Sequence, residues 1–192
     1  MKRLFGFVAV AAAVASLFAC TPRGACVING NVSYPQYETI YMFDLTGEML
    51  DSVSRAKDGA FRMVYEKKEN MPQVVLLEFN NPYSPADRMH LPVALEPGEV
   101  EVRIGEYIGI WGTPINYEIK DFFDELQVLT DEYRKNVATV DQKAEAFSNF
   151  YRTKMQENSD NVFGAYLKLA YARELTPEDL DIILKEASES AE

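Results

Sequence analysis

Residues 99–123, EVEVRIGEYIGIWGTPINYEIKDFF, contain the change in hydrophobic period that decides the fold. From 99 to 104, and again from 107 to 111, the apolar residues follow the two-residue period that is typical of short β-strands. The tripeptide Gly112-Thr113-Pro114 ends this pattern. After Pro114 the apolar residues recur at every third or fourth position, as they do on one face of an α-helix. The sequence therefore predicts β-structure before Pro114 and helical structure after it.

Upstream of Gly112, the two-residue period extends back to Cys26 and is interrupted by frequent turn residues. Asp58-Gly59 is the strongest hairpin signal in the chain, because glycine tolerates the positive φ of a tight hairpin turn. Gln73 to Phe79 is apolar on both faces, which is typical of a central strand. This number and spacing of strands predict an antiparallel β-sandwich or a partly open barrel of about eight strands. The predicted strands are 26–34, 39–45, 49–56, 60–65, 73–79, 90–95, 99–104 and 107–111.

Downstream of Pro114, the sequence predicts about four helices. The last of them begins at Thr176-Pro177, an N-cap followed by proline at the first helical position. The fold class is therefore α+β, with a β-sandwich domain at 26–113 and an α-helical segment at 114–192 that docks on the sandwich or on a partner. The predicted helices are 115–137, 141–157, 161–173 and 177–188.

The amino terminus has the features of a signal peptide at residues 1–19. Lys2 and Arg3 precede an apolar stretch that is too short to cross a bilayer, and polar sequence follows it directly. A small residue before Cys20 resembles the lipobox of bacterial lipoproteins, in which the cysteine thiol is diacylated and the chain is cut before it. We therefore expect a lipid anchor on Cys20 and a short tether at 20–25. An ordinary secretory signal cut nearby is the alternative.

Net charge restricts the class of partner. The chain carries a formal charge of −11, and the expected cleavage removes Lys2 and Arg3, which leaves −13. Such an acidic surface repels phosphate backbones, so nucleic acid is excluded as a main partner. Because no run of acidic residues follows Cys20, we expect a lipoprotein of the outer membrane that faces the periplasm, anchored in the membrane through its acyl chains.

Cysteine content makes an intramolecular disulfide unavailable. Once Cys20 is acylated, Cys26 is the only thiol that remains. A mixed disulfide with another protein is one role for Cys26. Its alternation with Ile28 and Val32 instead favours a buried cysteine on the core face of the first strand.

Residues with the usual chemistry of catalysis or metal binding do not form recognisable motifs. His90 is the only histidine, and it has no cysteine pair nearby in sequence with which to bind zinc. Asp121, Asp124 and Glu125 lie within two helical turns, but calcium requires more oxygen ligands from a loop. Ser52 and Ser54 lack the turn that presents a nucleophilic serine. The sequence predicts no catalytic residue, no metal site and no cofactor.

Short motifs follow one another along the chain in a distinctive order and spacing. They are Ile28-Asn29-Gly30, Tyr41, Leu50-Asp51-Ser52, Asp58-Gly59-Ala60-Phe61, Leu95-Glu96-Pro97-Gly98, Gly112-Thr113-Pro114 with Asn116, Asn161-Val162-Phe163-Gly164-Ala165-Tyr166, and Leu175-Thr176-Pro177-Glu178. This pattern, covering roughly 26–189, resembles domain-of-unknown-function family 4369. That family is the amino-terminal β-domain of periplasmic lipoproteins, which usually continue through a helical linker into a thioredoxin-like domain of the TlpA or AhpC/TSA type.

The resemblance implies an accessory domain related to thiol-disulfide oxidoreductases. This sequence has no Cys-x-x-C motif and ends where the thioredoxin-like domain would start. Thiol-disulfide exchange requires an accessible thiolate and normally a resolving cysteine. The redox activity of the family therefore transfers to no residue of this chain.

Aromatic residues at predicted loop and edge positions are the remaining candidates for a functional surface. Exposed aromatic rings bury much area at low entropic cost, which suits a contact with a glycan or a protein, although filling of the core is the alternative for each of them. These residues are Tyr34, Tyr37, Tyr83, Tyr107 and Trp111.

We therefore expect a non-catalytic cell-envelope lipoprotein that serves as an accessory or interaction domain for an envelope protein partner. The alternatives are a binding module for a hydrophobic peptide or glycan, and a redox partner that works with a thioredoxin-like protein in trans. Homo-oligomerisation through the helices stays open.

Overall fold

The computed structural model describes residues 23–66, 71–84 and 86–189. The predicted signal peptide and Cys20 lie outside these residues. The eight strands are β1 (Cys26–Val32), β2 (Thr39–Phe43), β3 (Met49–Ser54), β4 (Ala60–Tyr65), β5 (Gln73–Asn80), β6 (Arg88–Leu95), β7 (Gly98–Ile104) and β8 (Ile108–Trp111). The helices are α1 (Pro114–Lys135), α2 (Val140–Glu157), α3 (Val162–Tyr171) and α4 (Pro177–Glu189), with a short 3₁₀ helix (Ala172–Glu174) after α3. The predicted α+β fold class is confirmed.

The strands form two four-stranded sheets that pack as a sandwich. The first sheet has the order β4-β1-β7-β8 and the second has the order β3-β2-β5-β6. Five strand pairings among the described residues are antiparallel, and β1 pairs with β7 in parallel. The antiparallel prediction is therefore correct except at the centre of the first sheet. β5 lies in the interior of the second sheet, as its apolar faces predict.

The predicted hairpin at Asp58-Gly59 is wrong, because β3 and β4 belong to different sheets. The turn itself is present: Gly59 has a φ of 90°, and its N–H donates to the carbonyl of Ala56 over 3.0 Å. After the turn, Ala60 pairs with Asn31 of β1 rather than with β3. Phe61 is then buried in the core, which explains why β4 joins the first sheet. The turn carries the chain from one sheet to the other.

The core lies between the two sheets and is filled by alternate residues of each strand. Gly30 lies under the ring of Phe61, where a Cβ atom would come within 2.1 Å of the ring. The absence of a side chain therefore lets this ring cross the neighbouring strand. Among the inward-facing residues buried in this core are Cys26, Ile28, Val100 and Val102 from the first sheet and Ile40, Met42, Val75, Leu77 and Phe79 from the second.

Helix α1 packs against β6 and β8, the strands at one open side of the sandwich. Asn116 is fully buried there; its side chain accepts a hydrogen bond from the Ala94 N–H and donates one to the Ala94 carbonyl, at 2.9 and 2.8 Å. Pro92, two residues earlier on the same edge of β6, has no N–H to pair. These two features satisfy both backbone groups of Ala94 and remove the N–H of Pro92 from an edge that would otherwise be open to pairing.

The other helices complete a layer on the second sheet. Helix α3 packs against β5, and the aromatic rings of α1, α2 and α3 meet around Phe122. The helical segment therefore docks on the sandwich. None of the helices in the described part of the chain combines the length and hydropathy that crossing a membrane requires.

Candidate binding surfaces

The five predicted surface aromatics do not form one patch. Tyr83 is 85% exposed in the loop between β5 and β6. Tyr34 and Tyr37 contact each other with ring centroids 6.0 Å apart. Tyr107 is exposed and Trp111 is half-buried, and both rings contact Arg103. The structure thus brings these residues together as two pairs and one isolated ring.

Tyr37 is only 7% exposed, so it is not a surface residue. Its hydroxyl donates to Oδ1 of Asp87 at 2.5 Å, and Asn81 donates to the other oxygen of that carboxylate at 3.0 Å. The hydrogen bond to Asp87 raises the pKa of Tyr37 to about 12 and lowers that of Asp87. Tyr37 therefore holds the loop at Asn81 and Asp87 in place, a role that its position in the sequence did not indicate.

A shallow depression of about 480 Å³ lies on the outer face of the first sheet. We call it the outer-face depression. Besides backbone, its lining consists mainly of polar side chains from β1, β4 and β7 and the ring of Trp111. The polar and aromatic side chains that line it include Asn29, Asn31, Arg62, Glu101, Arg103 and Trp111. Of the four polar residues on β1 and β7, only Asn29 belongs to a sequence motif, although strand alternation places all four on one face.

A second concavity, about 600 Å³ in volume, lies between the edges of the two sheets. We call it the edge groove; it is bounded by His90 and Leu91 of β6, the segment 105–110, and one side of α1. The α1 residues that line it are Lys120, Phe123, Asp124 and Gln127.

The edge groove has apolar residues at its base and polar residues at its rim. Leu91 and Ile110 are buried, Phe123 is half-buried, and Ile108 is 52% exposed. At the rim, Lys120 pairs with Asp124 at 2.5 Å, which raises the pKa of the lysine. Such a base accepts apolar side chains, while the rim contacts polar backbone or charged groups.

One wall of the edge groove is a strand edge without a partner strand in the described part of the chain. Ile104 faces β1, since its carbonyl accepts from the Ser33 N–H at 2.8 Å. Strand alternation then directs the N–H and C=O groups of Ile108 and Ile110 away from β7. Another extended chain can therefore reach the β8 edge at Ile108, which is 52% exposed, whereas Ile110 is buried. On the facing edge of β6, Asn116 occupies both backbone groups of Ala94, and Pro92 has no N–H.

The edge groove lies at the end of the sandwich opposite the start of β1. The carbonyl of Ala25, just before β1, accepts a hydrogen bond from the N–H of Gly98. The chain therefore enters the fold beside Gly98, the first residue of β7. The groove lies at the other end of β7, beside Gly105. At 3.3 Å per residue, the strand separates the two by roughly 20 Å.

Cys26 is a buried thiol, as its alternation predicts. Its side chain is fully inaccessible, and burial raises its pKa from 9.0 to about 11. The thiolate is the reactive form in disulfide exchange. Cys26 therefore lacks both the access and the ionisation that a mixed disulfide requires.

We predict that a Cys20→Ser variant, in which Cys26 is the only cysteine, resists iodoacetamide at pH 8 when folded. A pKa raised by two units lowers the thiolate fraction roughly a hundredfold, and burial slows reaction further. Labelling followed by mass spectrometry should be complete after unfolding in urea. Rapid labelling of the folded protein, at the rate of a free thiol, would contradict this account.

The histidine and the acidic residues that were considered as metal ligands form hydrogen bonds or ion pairs within the fold. His90 is on β6 with Nε2 2.9 Å from the Glu78 carboxylate. Asp124 pairs with Lys120, and Glu125 pairs with Lys154 at 2.8 Å. Within residues 23–66, 71–84 and 86–189, no three His, Cys, Asp or Glu side chains are grouped to hold a metal ion.

Comparisons of this chain with protein-family models, with curated proteins and with solved structures give no significant match. The resemblance to domain-of-unknown-function family 4369 therefore stays a prediction.

Proposed function

We propose that this chain is a non-catalytic, lipid-anchored accessory protein of the cell envelope. In this proposal, the edge groove binds an extended segment of another envelope protein. The observation that carries it is the combination, in one groove, of a β8 edge that is exposed at Ile108 with an apolar base. Strand addition to such an edge supplies affinity through main-chain hydrogen bonds and specificity through pockets for alternate side chains.

The apolar base specifies the side chains of the partner segment. Ile108 and the half-buried Phe123 offer contact to apolar residues, and the exposed ring of Tyr107 borders the same groove. The mature chain is strongly acidic, which favours a partner segment with basic rather than acidic residues between the apolar ones. We therefore propose an extended, apolar and basic peptide segment as the occupant.

The position of the groove supports a protein partner rather than the lipid of the anchoring membrane. A tether of six residues from Cys20 to Ala25 reaches at most about 20 Å, and it joins the end of the sandwich that lies away from the groove. With acyl chains on Cys20, the groove would face away from the bilayer. The buried Cys26 thiol also favours this proposal over a redox role in trans.

Site-specific photocrosslinking in the acylated full-length protein tests the proposal. A photoreactive amino acid at Gln127, on the groove rim, is expected to capture one envelope protein in an amount nearly equal to that of this protein. The crosslinked segment of that partner should contain apolar and basic residues. The same group at Leu184, an exposed position on α4, should not capture that protein.

The added change Ile108→Lys should abolish the crosslink at Gln127, because it places a charge in the groove beside β8. The control change Tyr83→Lys, at an exposed loop position, should leave it intact. Recovery of the same proteins from Gln127 and Leu184, or a crosslink unaffected by Ile108→Lys, would contradict the groove as the binding site.

A further inference from the structure

The outer-face depression contains a row of polar side chains that crosses all four strands of the first sheet. Asn29 pairs with Arg62 on β4 and with Glu101 on β7, and Glu101 pairs with Trp111 on β8. Neighbouring strands lie about 4.8 Å apart, so this row extends over about 14 Å. The spacing between strands is close to the length of one pyranose ring, and the row matches a short oligosaccharide that runs across the strands.

A second row of paired residues, next to the first, has small residues at both ends and so leaves space for a ligand above the sheet. Asn31 pairs with Ala60 on one side and with Arg103 on the other, and Arg103 pairs with Gly109. Ala60 and Gly109 at the two ends have little or no side chain. A Cβ atom at Gly109 would come within 2.6 Å of the Trp111 ring, so the glycine lets this ring lie over the strand.

Arg103 is held between two aromatic rings. Its guanidinium carbon lies 5.6 Å from the centroid of Trp111 and 5.8 Å from that of Tyr107, and Nη1 donates to the Tyr107 hydroxyl at 2.5 Å. Among the described residues, no carboxylate oxygen lies within 4 Å of its guanidinium nitrogens. Its orientation is therefore fixed by the rings without an ion pair, and a guanidinium matches a carboxylate through paired hydrogen bonds.

The remaining lining matches hydroxyl groups better than apolar side chains. The amides of Asn29 and Asn31 both donate and accept hydrogen bonds, and Glu101 accepts them. One N–H of Asn31 already donates to the Asp58 carbonyl at 3.2 Å, which leaves its other N–H and its oxygen for a ligand. Arg103 gives this depression a positive group on a chain whose net charge is strongly negative. It can therefore attract an anionic ligand to this face.

We infer that the outer-face depression binds an acidic oligosaccharide of the uronic acid class, with the sugar carboxylate on Arg103 and the sugar hydroxyls on the Asn29 to Glu101 row. Tyr107 also borders the edge groove, but Arg103 and the Asn29 to Glu101 row do not line it, so this inference does not depend on the proposed protein partner.

Calorimetric titration of the full chain in detergent micelles, with tetragalacturonate as the probe, tests this inference. The matched control ligand is the fully methyl-esterified tetramer, which has the same rings without the charges. We expect tetragalacturonate to bind about tenfold more tightly or better, because hydrogen bonds to charged groups are stronger than neutral ones.

Arg103→Gln should weaken tetragalacturonate binding about tenfold and remove the preference over the ester. Arg103→Lys should recover only part of it, since lysine lacks the planar fork. Arg134→Gln, on an exposed part of α1, should leave binding unchanged. Circular dichroism checks that each variant is folded.

Equal affinity for the acid and the ester, or no binding of tetragalacturonate, would overturn the inference. So would an equal loss in Arg103→Gln and Arg134→Gln, because binding would then follow total charge rather than this site.

Discussion

Replacing Phe122 with alanine is expected to lower the free energy of unfolding by about 4 kcal/mol. Phe122 is 1% exposed and lies where helices α1, α2 and α3 meet. Truncating it removes contacts with five rings and leaves a cavity that rigid neighbours fill only in part. The rings whose centroids lie 5.2 to 6.4 Å from that of Phe122 belong to Phe123, Phe150, Tyr151, Phe163 and Tyr171.

Urea unfolding monitored by circular dichroism measures this change. Tyr117→Ala is the matched control, because Tyr117 lies on the same helix but is 50% exposed, and its loss should cost less than about 1 kcal/mol. Equal effects of the two substitutions would mean that the aromatic cluster does not hold the helical layer together.

Gly59→Ala is expected to destabilise the protein by about 3 kcal/mol, because it combines an unfavourable backbone conformation with a collision. Gly59 has a φ of 90°, and a Cβ atom there would come within 2.3 Å of the backbone carbonyl oxygen of Val32. That carbonyl belongs to the last residue of β1, whose N–H also donates to the Gly59 carbonyl at 2.9 Å. The turn and the strand cannot separate without losing this contact.

Gly47→Ala separates the two contributions. Gly47 has the same φ of 90°, but a Cβ atom there meets nothing within 4 Å. Its substitution should therefore cost only the backbone term of about 1 kcal/mol. The difference between the two variants in urea unfolding measures the collision with β1. If both variants lose the same stability, the approach of Gly59 to Val32 is looser than the structure indicates.

The element boundaries followed closely from the sequence because each rests on local chemistry. The predicted strand 60–65 and the predicted start of α4 at Pro177 match the structure. β6 begins two residues earlier than predicted, and the third helix ends at Tyr171 in a 3₁₀ turn rather than continuing to Arg173. The earlier start of β6 comes from its pairing with the end of β5, Arg88 with Asn80 and Met89 with Phe79. Helix ends depend on packing as well as on period, which explains the shorter third helix.

The candidate surfaces were predicted only in part. Tyr107 and Trp111 were expected to be surface residues, and both border a concavity, but sequence analysis did not name Arg103, which lies between them. Tyr37 was expected at the surface and is buried through its hydrogen bond to Asp87, fifty positions away. A partner so distant in sequence leaves no trace in the local pattern.

By itself, the sequence determined the type of each element, the change of period at Pro114, and the core face that buries Cys26. These follow from side-chain periodicity and turn chemistry, which act over a few residues. Only the tertiary structure decided that the Gly59 turn joins two sheets, that β1 and β7 run parallel, and that β6, β8 and α1 enclose a groove. Those features depend on which strands, distant in sequence, pack their apolar faces into one core. The free energy gained by burying these faces together depends on both partners, so no single segment of the sequence reveals it.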